Sequence, residues 1–216
     1  SEGMTFTYLF PAAVAQQSAT PAGMPATWGT HRINRLGFWA GQPVDADYEM
    51  DPEVTGASTG TVEESLAALP AISLVTDLAN LDIYFSDPQA RGTESERPVS
   101  VEWISPDGSE AGFQINAGVR IQGGVGRWEY IPKHSFRLFF RQQYGAGRLN
   151  YPVFSDSRVQ SFETLVLRGG ANYSFVSETY PERTTYARDE WLRRSQIAML
   201  GAGVHGRFVH VYLNGL

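Results

Sequence analysis

The sequence contains no cysteine and only one lysine. The absence of thiols excludes disulfide frameworks, Cys-ligated zinc, iron–sulfur clusters and thiol catalysis, but it leaves the cellular compartment open. No stretch approaches the ~20 uninterrupted apolar residues of a transmembrane helix, and the chain does not open with a signal-peptide pattern, so no membrane insertion is expected. Positive charge is scarce: 17 basic residues stand against 23 acidic ones, a net charge of −6. That balance argues against a nucleic-acid partner and against a polybasic membrane anchor. What is present is a chain of 216 residues, 42% hydrophobic and 12% aromatic, close to globular usage and long enough for one to two domains.

Of the 17 basic side chains, 16 are arginine, and Lys133 is the exception. A lysine-poor genome would leave a single lysine by chance. A chemical need would also retain it, because an ammonium is a compact point charge that an arginine fork does not always replace beside a phosphate oxygen. The start at Ser1 without an initiator Met, and the ending His210-Val-Tyr-Leu-Asn-Gly-Leu216 as a strand running into a turn, predict an excerpt from a longer polypeptide.

Residues 1–60 read as an extended, irregular segment dense in Pro, Gly, Ala, Gln and Thr. Its aromatics Phe6, Tyr8, Phe10, Trp28, Phe38, Trp39 and Tyr48 predict that it lies against something, and Thr5–Phe10 is strand-like. From Thr61 onward the punctuation becomes regular. Val62–Leu69 suits a two-turn helix halted by Pro70. Strands are expected at Ile72–Thr76, Pro98–Ile104, Phe113–Gln122, His134–Arg141, Phe162–Arg168 and Arg207–Leu213, and the second and third form an antiparallel hairpin around Pro106-Asp-Gly108. One long helix is expected after Thr184/Thr185. Ala187, Trp191, Ser195 and Ala198 with Met199 form its packing stripe, and Gly201 ends it. These elements predict an α+β fold with a mainly antiparallel sheet and one long packed helix in 61–216, preceded by the extended segment.

Several motifs fail on context. Gly201-Ala-Gly-Val-His-Gly206 spells G-x-G-x-x-G, but a helix precedes it and a strand follows, the reverse of a dinucleotide fold, so it reads as a helix-ending turn. Arg188-Asp189 has neither the His before it nor the Asn after it of a kinase catalytic loop. Asn172-Tyr-Ser174 is a weak glycosylation match. His31, His134, His205 and His210 lack metal-ligand spacing, and His210 reads as a strand residue.

One block holds together. Gly118 to Arg141 presents a strand, a loop with Gly123, Gly124 and Gly126, and a second strand headed by the sole lysine. Such glycines let backbone N–H groups approach an anion, and the lysine adds charge. A glycine-rich hairpin without a ligand has the same spacing.

Lys133-His-Ser-Phe-Arg-Leu-Phe-Phe-Arg141, Tyr144-Gly, Leu149-Asn-Tyr-Pro-Val-Phe154, Phe162-Glu-Thr-Leu-Val-Leu-Arg-Gly-Gly-Ala-Asn172, Tyr186-Ala-Arg-Asp189 and Arg207-Phe-Val-His-Val-Tyr-Leu-Asn-Gly215 resemble, in order and spacing, the CotH kinase family. Leu69–Asp77 and Glu96–Glu102 look like its large exported bacterial versions. The resemblance implies an extracellular or cell-surface atypical kinase that uses ATP with Mg or Mn and phosphorylates Ser-rich protein. It places Lys133 near the nucleotide phosphates and Gln122, Gly123 and Gly124 in a covering loop, and Arg168, Arg188 and Asp189 near the site or holding the helix to the sheet. It also implies that the metal-binding and catalytic carboxylates stand beyond Leu216, so that these residues alone form the inactive, incomplete N-terminal portion of a kinase-like domain and expose an open edge. The alternative expectation is a non-catalytic binding or adhesion module of a large surface protein.

Overall fold

The computed structural model of the chain describes residues 5–32, 34, 37, 39–57, 59–81, 87–129, 131, 133–170, 185 and 187–216. Phe38, the Asn172-Tyr-Ser174 motif and the Thr184 cap lie outside them. The described part is α+β, with a mainly antiparallel sheet as its centre.

That sheet has six strands: β3 (Ala71–Val75), β4 (Arg97–Ile104), β5 (Gln114–Gln122), β6 (Ser135–Phe139), β9 (Thr164–Leu167) and β10 (His210–Leu213). They lie in the order β10-β3-β4-β5-β6-β9, and only the β10–β3 pair is parallel. Alternation decides which side chains face the core. Val99, Val101 and Trp103 are buried while their neighbours are not, and the register Ile72↔Trp103, Val99↔Ala117, Val119↔Leu138 and Leu138↔Leu165 aligns the apolar rows. Leu74, Val101, Ala117 and Leu138 are 0% exposed. Each large side chain buried in this way contributes about 1.5–3 kcal/mol. The β4–β5 hairpin turns at Pro106-Asp-Gly108, where Gly108 has φ 67°. There, hydrogen bonds from Ser109 and the Ser105 hydroxyl hold the Asp107 carboxyl down to about 2.

Two-stranded ribbons β1 (Thr27–Thr30)–β2 (Pro43–Asp45) and β7 (Leu149–Asn150)–β8 (Ser161–Phe162) are the other strands among the described residues. The residues from β7 to β8 cover the apolar face of the main sheet with Leu149, Val153, Phe154 and Phe162. Tyr151 packs on Phe113 and Trp103, with ring centroids 4.9 and 5.9 Å away.

The N-terminal residues cross the opposite, polar face. Thr7 donates its N–H to Glu102 Oε2 at 2.7 Å, its hydroxyl meets Ser73 Oγ at 2.7 Å, and Gln114 Nε2 donates to the Thr5 carbonyl. The strand expected at Thr5–Phe10 is therefore an extended segment held largely by side chains, without a ladder. Its aromatics point away: Phe6, Tyr8 and Phe10 are 62%, 82% and 67% exposed. Short helices α1 (Pro11–Ala15), α2 (Pro52–Ala57) and α3 (Thr59–Ala68) follow along this part of the chain, and α1 packs against α3. Arg32 links the β1–β2 region to the main body by pairing with Asp87 and, at 3.2 Å, with the buried Glu129.

The long helix exists as α4 (Ala187–Leu200), but it does not pack through the expected stripe. Ala187, Trp191, Ala198 and Met199 are exposed, Trp191 by 67% and Met199 by 75%, whereas the acidic Glu190 is buried. One ion pair ties the helix to the sheet: Asp189 pairs with Arg168 at the end of β9. Glu190 bonds within the helix, to Arg193 at 3.2 Å and Arg194 at 2.7 Å, and is covered by Gly206, where a Cβ would run into Glu190 Oε2. Ile197 closes on Gly203, where a Cβ would sit 2.7 Å from Ile197 Cγ1. Gly201, at φ 67°, ends the helix by donating its N–H to Ile197 O at 2.8 Å, so the G-x-G-x-x-G letters are a C-terminal cap as expected. Among the described residues, no helix is long and apolar enough to cross a membrane.

Candidate functional site

The chain leaves β9 at one edge of the sheet and re-enters at β10 on the other, so α4 and residues 201–209 belong to the connection between the two edges. An open cavity of about 630 Å³ lies between this crossover and the sheet. Ile72, Trp103, Leu165 and Leu167 supply apolar lining, while Lys133, Arg168, Arg193, Asp189 and Glu190 supply charge. The size and the mixture of apolar wall with a few charged groups suit a small-molecule site.

Of the residues singled out in the sequence, Lys133, Arg168 and Asp189 meet at this cavity. Their approach depends on Gly169. A Cβ there would lie 2.8 Å from the Lys133 carbonyl oxygen and 2.9 Å from that of His134, and the Gly169 N–H donates to Ser135 Oγ at 2.9 Å. Only a glycine lets the end of β9 come this close to the start of β6. Arg168 then reaches across to Asp189, which is the structural role weighed for it, while its exposed position at the cavity leaves guanidinium surface toward solvent. Arg188 is exposed in the first turn of α4 and is not part of the cavity lining.

Gln122, Gly123 and Gly124 do not line the cavity either. They form the end of β5 and the loop after it, with Gln122 opposite Ser135 across the β5–β6 ladder. The loop is organised by a residue that sequence reasoning passed over. Arg127, 7% exposed, donates from Nε to Gly123 O at 2.7 Å and from one terminal nitrogen to Ala90 O at 2.7 Å and Pro88 O at 3.3 Å. Its other terminal nitrogen donates to Ile121 O. The loop carbonyls thus turn inward onto a guanidinium. A Cβ on Gly123 or Gly124 would meet nothing within 4 Å, so the outer side of the loop is open.

The loop joins the lysine through His134, whose Nδ1 lies 2.8 Å from Gly126 O. This contact fixes Nδ1 as the donor in the neutral ring. Burial above all, with a smaller push from the Arg127 charge, lowers the His134 pKa, against an opposing effect of the Gly126 hydrogen bond. A base whose folded-state pKa is depressed stabilises the fold above its unfolded value of ~6.5 and loses that stabilisation as pH falls below it. Chemical denaturation at pH 7.5, 6.5 and 5.5 is expected to show stability falling toward acid. His134→Gln, which keeps a donor but does not titrate, should flatten that slope; an unchanged slope would assign it to other groups.

Two further pairs at the cavity come from residues far apart in sequence. His205 lines it and places Nδ1 3.0 Å from Asp156 Oδ1. Arg207 lines it as well, with its guanidinium 4.8 Å from the Trp103 ring centroid, and forms a two-pronged pair with Glu110 at 2.6 and 3.0 Å. Arg207, first, holds the Glu110 carboxyl below its usual range. No sequence spacing announces either pair, because each depends on the crossover folding back, over the residues between β7 and β8 for Asp156 and over the β4–β5 hairpin for Glu110. Among the described residues, no three His, Asp or Glu side chains gather as a metal-ligand group. The chain matches no family model, no curated protein and no solved structure.

Proposed function

We propose that the chain is the nucleotide-facing part of an exported atypical protein kinase of the CotH type, with the cavity under the α4 crossover as the place where ATP phosphates are met. The observation that carries this reading is the convergence of Lys133, the chain's one lysine, with Arg168 at a cavity of about 630 Å³ that also has apolar walls. A nucleoside triphosphate needs both: apolar surface for its base and cations for its phosphates. Phosphoryl transfer depends mainly on positioning and charge neutralisation. The Lys133 ammonium would meet phosphate oxygens as a point charge. Arg168, oriented by Asp189, would present guanidinium N–H groups beside it.

In the same reading a Ser-bearing protein outside the cell is the acceptor, and Mg or Mn accompanies the nucleotide. Among the described residues, Asp189 and Glu190 are the acidic groups lining the cavity, and both are held by arginines. They do not present a metal-binding set, so the contribution assigned to these residues is binding and neutralising phosphate, with no step routed through a metal.

Isothermal calorimetry with ATP and Mg or Mn tests the reading. The chain is expected to bind the nucleotide, and Lys133→Ala to weaken binding tenfold or more, about 1.4 kcal/mol or above. No binding, or binding indifferent to Lys133, overturns it. A non-catalytic binding module is the second reading, and the absence of Gln122, Gly123 and Gly124 from the cavity lining favours it, because no glycine loop then covers a nucleotide there. The same titration separates the two.

A further inference from the structure

The polar face of the sheet carries a concentration of positive charge that an acidic chain does not otherwise show. Arg120 on β5 and Arg137 on β6 are direct cross-strand partners and so project from the same face. Phe139, two residues along, and Arg141 just past the end of β6 extend the row. All three guanidinium groups gather on one ring, with Arg120, Arg141 and Arg137 carbons 4.1, 5.0 and 5.6 Å from the Phe139 centroid. Like charges directly opposite on neighbouring strands repel, so the cluster needs negative charge nearby.

One carboxylate provides part of it. Glu96, whose side chain is 2% exposed, lies 3.0 Å from Arg141 Nε and 3.5 Å from Arg120 Nε. Gly118 makes room for this: a Cβ there would lie 2.6 Å from Glu96 Cγ and 2.5 Å from the Tyr144 ring. Neither Glu96 oxygen achieves hydrogen-bond geometry, and Arg137 Nε is buried without a hydrogen-bond partner. Among the described residues no carboxylate pairs with Arg137. Among the described residues, three guanidinium groups against one carboxylate leave a local excess of two positive charges. Arg91 and Arg127 add to the field: the charges of Arg91 and Arg120, after burial, push the Arg127 pKa down, so all lie within electrostatic range. The cluster remains open to solvent, since the Arg141 and Arg120 side chains are 42% and 21% exposed.

We propose that Arg120, Arg137 and Arg141 form a binding site for a phosphoryl group, free or carried as a phosphate monoester. The excess charge matches a dianion, and planar guanidinium forks bind phosphate oxygens two at a time. The Phe139 ring stacks the forks in place before the ligand arrives, which reduces the ordering needed on binding. Glu96 bridges Arg120 and Arg141, and the Nε of Arg137, buried without a hydrogen-bond partner, is a donor that a turn of the side chain toward a bound oxyanion would satisfy. None of the three arginines lines the Lys133 cavity, and the site does not depend on the nucleotide reading.

The test uses inorganic phosphate and phosphoserine separately, with acetate as the monoanion control, read by the rise in thermal midpoint and by calorimetry. Phosphate or phosphoserine is expected to raise the midpoint of the chain, and acetate is not. Arg137→Gln should weaken binding at least tenfold and abolish the rise, whereas Arg148→Gln, at an exposed arginine paired with Glu163 outside the cluster, should leave both unchanged. If Arg137→Gln fails to fold, Arg141→Gln at the more exposed position serves, with the same expected loss. Stronger binding of phosphoserine than of phosphate identifies a protein-borne group as the source; the reverse identifies the free ion. Absence of binding at millimolar phosphate, an equal effect of acetate, or a phosphate effect that survives both arginine variants overturns the proposal.

Discussion

Arg127→Met is expected to destabilise the fold by about 3–5 kcal/mol, because several buried carbonyls lose their charged donor at once. The Arg127 guanidinium satisfies carbonyls of Ile121, Gly123, Pro88 and Ala90, which come from two segments with no shared strand pairing. Met fills the volume but donates nothing. Carbonyls buried without a donor each cost on the order of 1–3 kcal/mol unless water reaches them. Residues 88–90 would also lose one of their ties to the β5–β6 loop, leaving the Gln89 side-chain bond to the Arg127 carbonyl at 3.2 Å. For a chain of this size the change corresponds to a drop of roughly 6–20 °C in thermal midpoint. Arg127→Lys should recover only a fraction, because three donors on one nitrogen cannot span four carbonyls in different directions. A midpoint within ~2 °C of the parent for Arg127→Met would show that water replaces the guanidinium and that the loop does not need it.

Leu138→Ala should cost about 2–5 kcal/mol, the range for removing a fully buried leucine. Leu138 is 0% exposed in the middle of β6, opposite Val119 on one side and Leu165 on the other. It therefore joins the inner strands of the sheet to the edge strand β9, which carries Arg168. Strands on both sides fix its surroundings, so the cavity left by truncation has little freedom to collapse. Urea denaturation measures the loss directly. A cost below 1 kcal/mol would mean that the apolar face repacks easily, contrary to the interlocked register.

The strands were the most legible part of the sequence, and for a physical reason. Pro98–Ile104 and Phe113–Gln122 alternate apolar and polar residues, and the structure buries Val99, Val101, Trp103, Ala117, Val119 and Ile121 on one face of a hairpin. The α4 helix was legible in its limits but not in its orientation. Periodicity pointed to Trp191 and Met199 as the packing stripe, whereas the Asp189–Arg168 pair ties the helix to the sheet and Glu190 takes the buried position, and hydrophobic spacing carries no record of those. Thr5–Phe10 misled in a similar way: its alternation is real, but the threonines face the sheet and the aromatics face out. At the candidate site, the isolated lysine stood out by composition. The pairs His205–Asp156 and Arg207–Glu110 did not, since 49 and 97 residues separate their members. The arginine cluster needed the register as well, because only the pairing of Arg120 with Arg137 shows that their charges share a face.

The central claim, that nucleotide phosphates are met at the cavity of Lys133 and Arg168, is tested most directly by hydrogen–deuterium exchange with and without a non-hydrolysable ATP analogue and Mg. Bound nucleotide should slow exchange at the start of β6, the end of β9 through Gly170 and the first turns of α4, since local opening of these elements would then require release of the ligand. Lys133→Ala should remove that protection at the same nucleotide concentration. Protection confined to the polar face of the sheet, or no protection anywhere, would contradict the account.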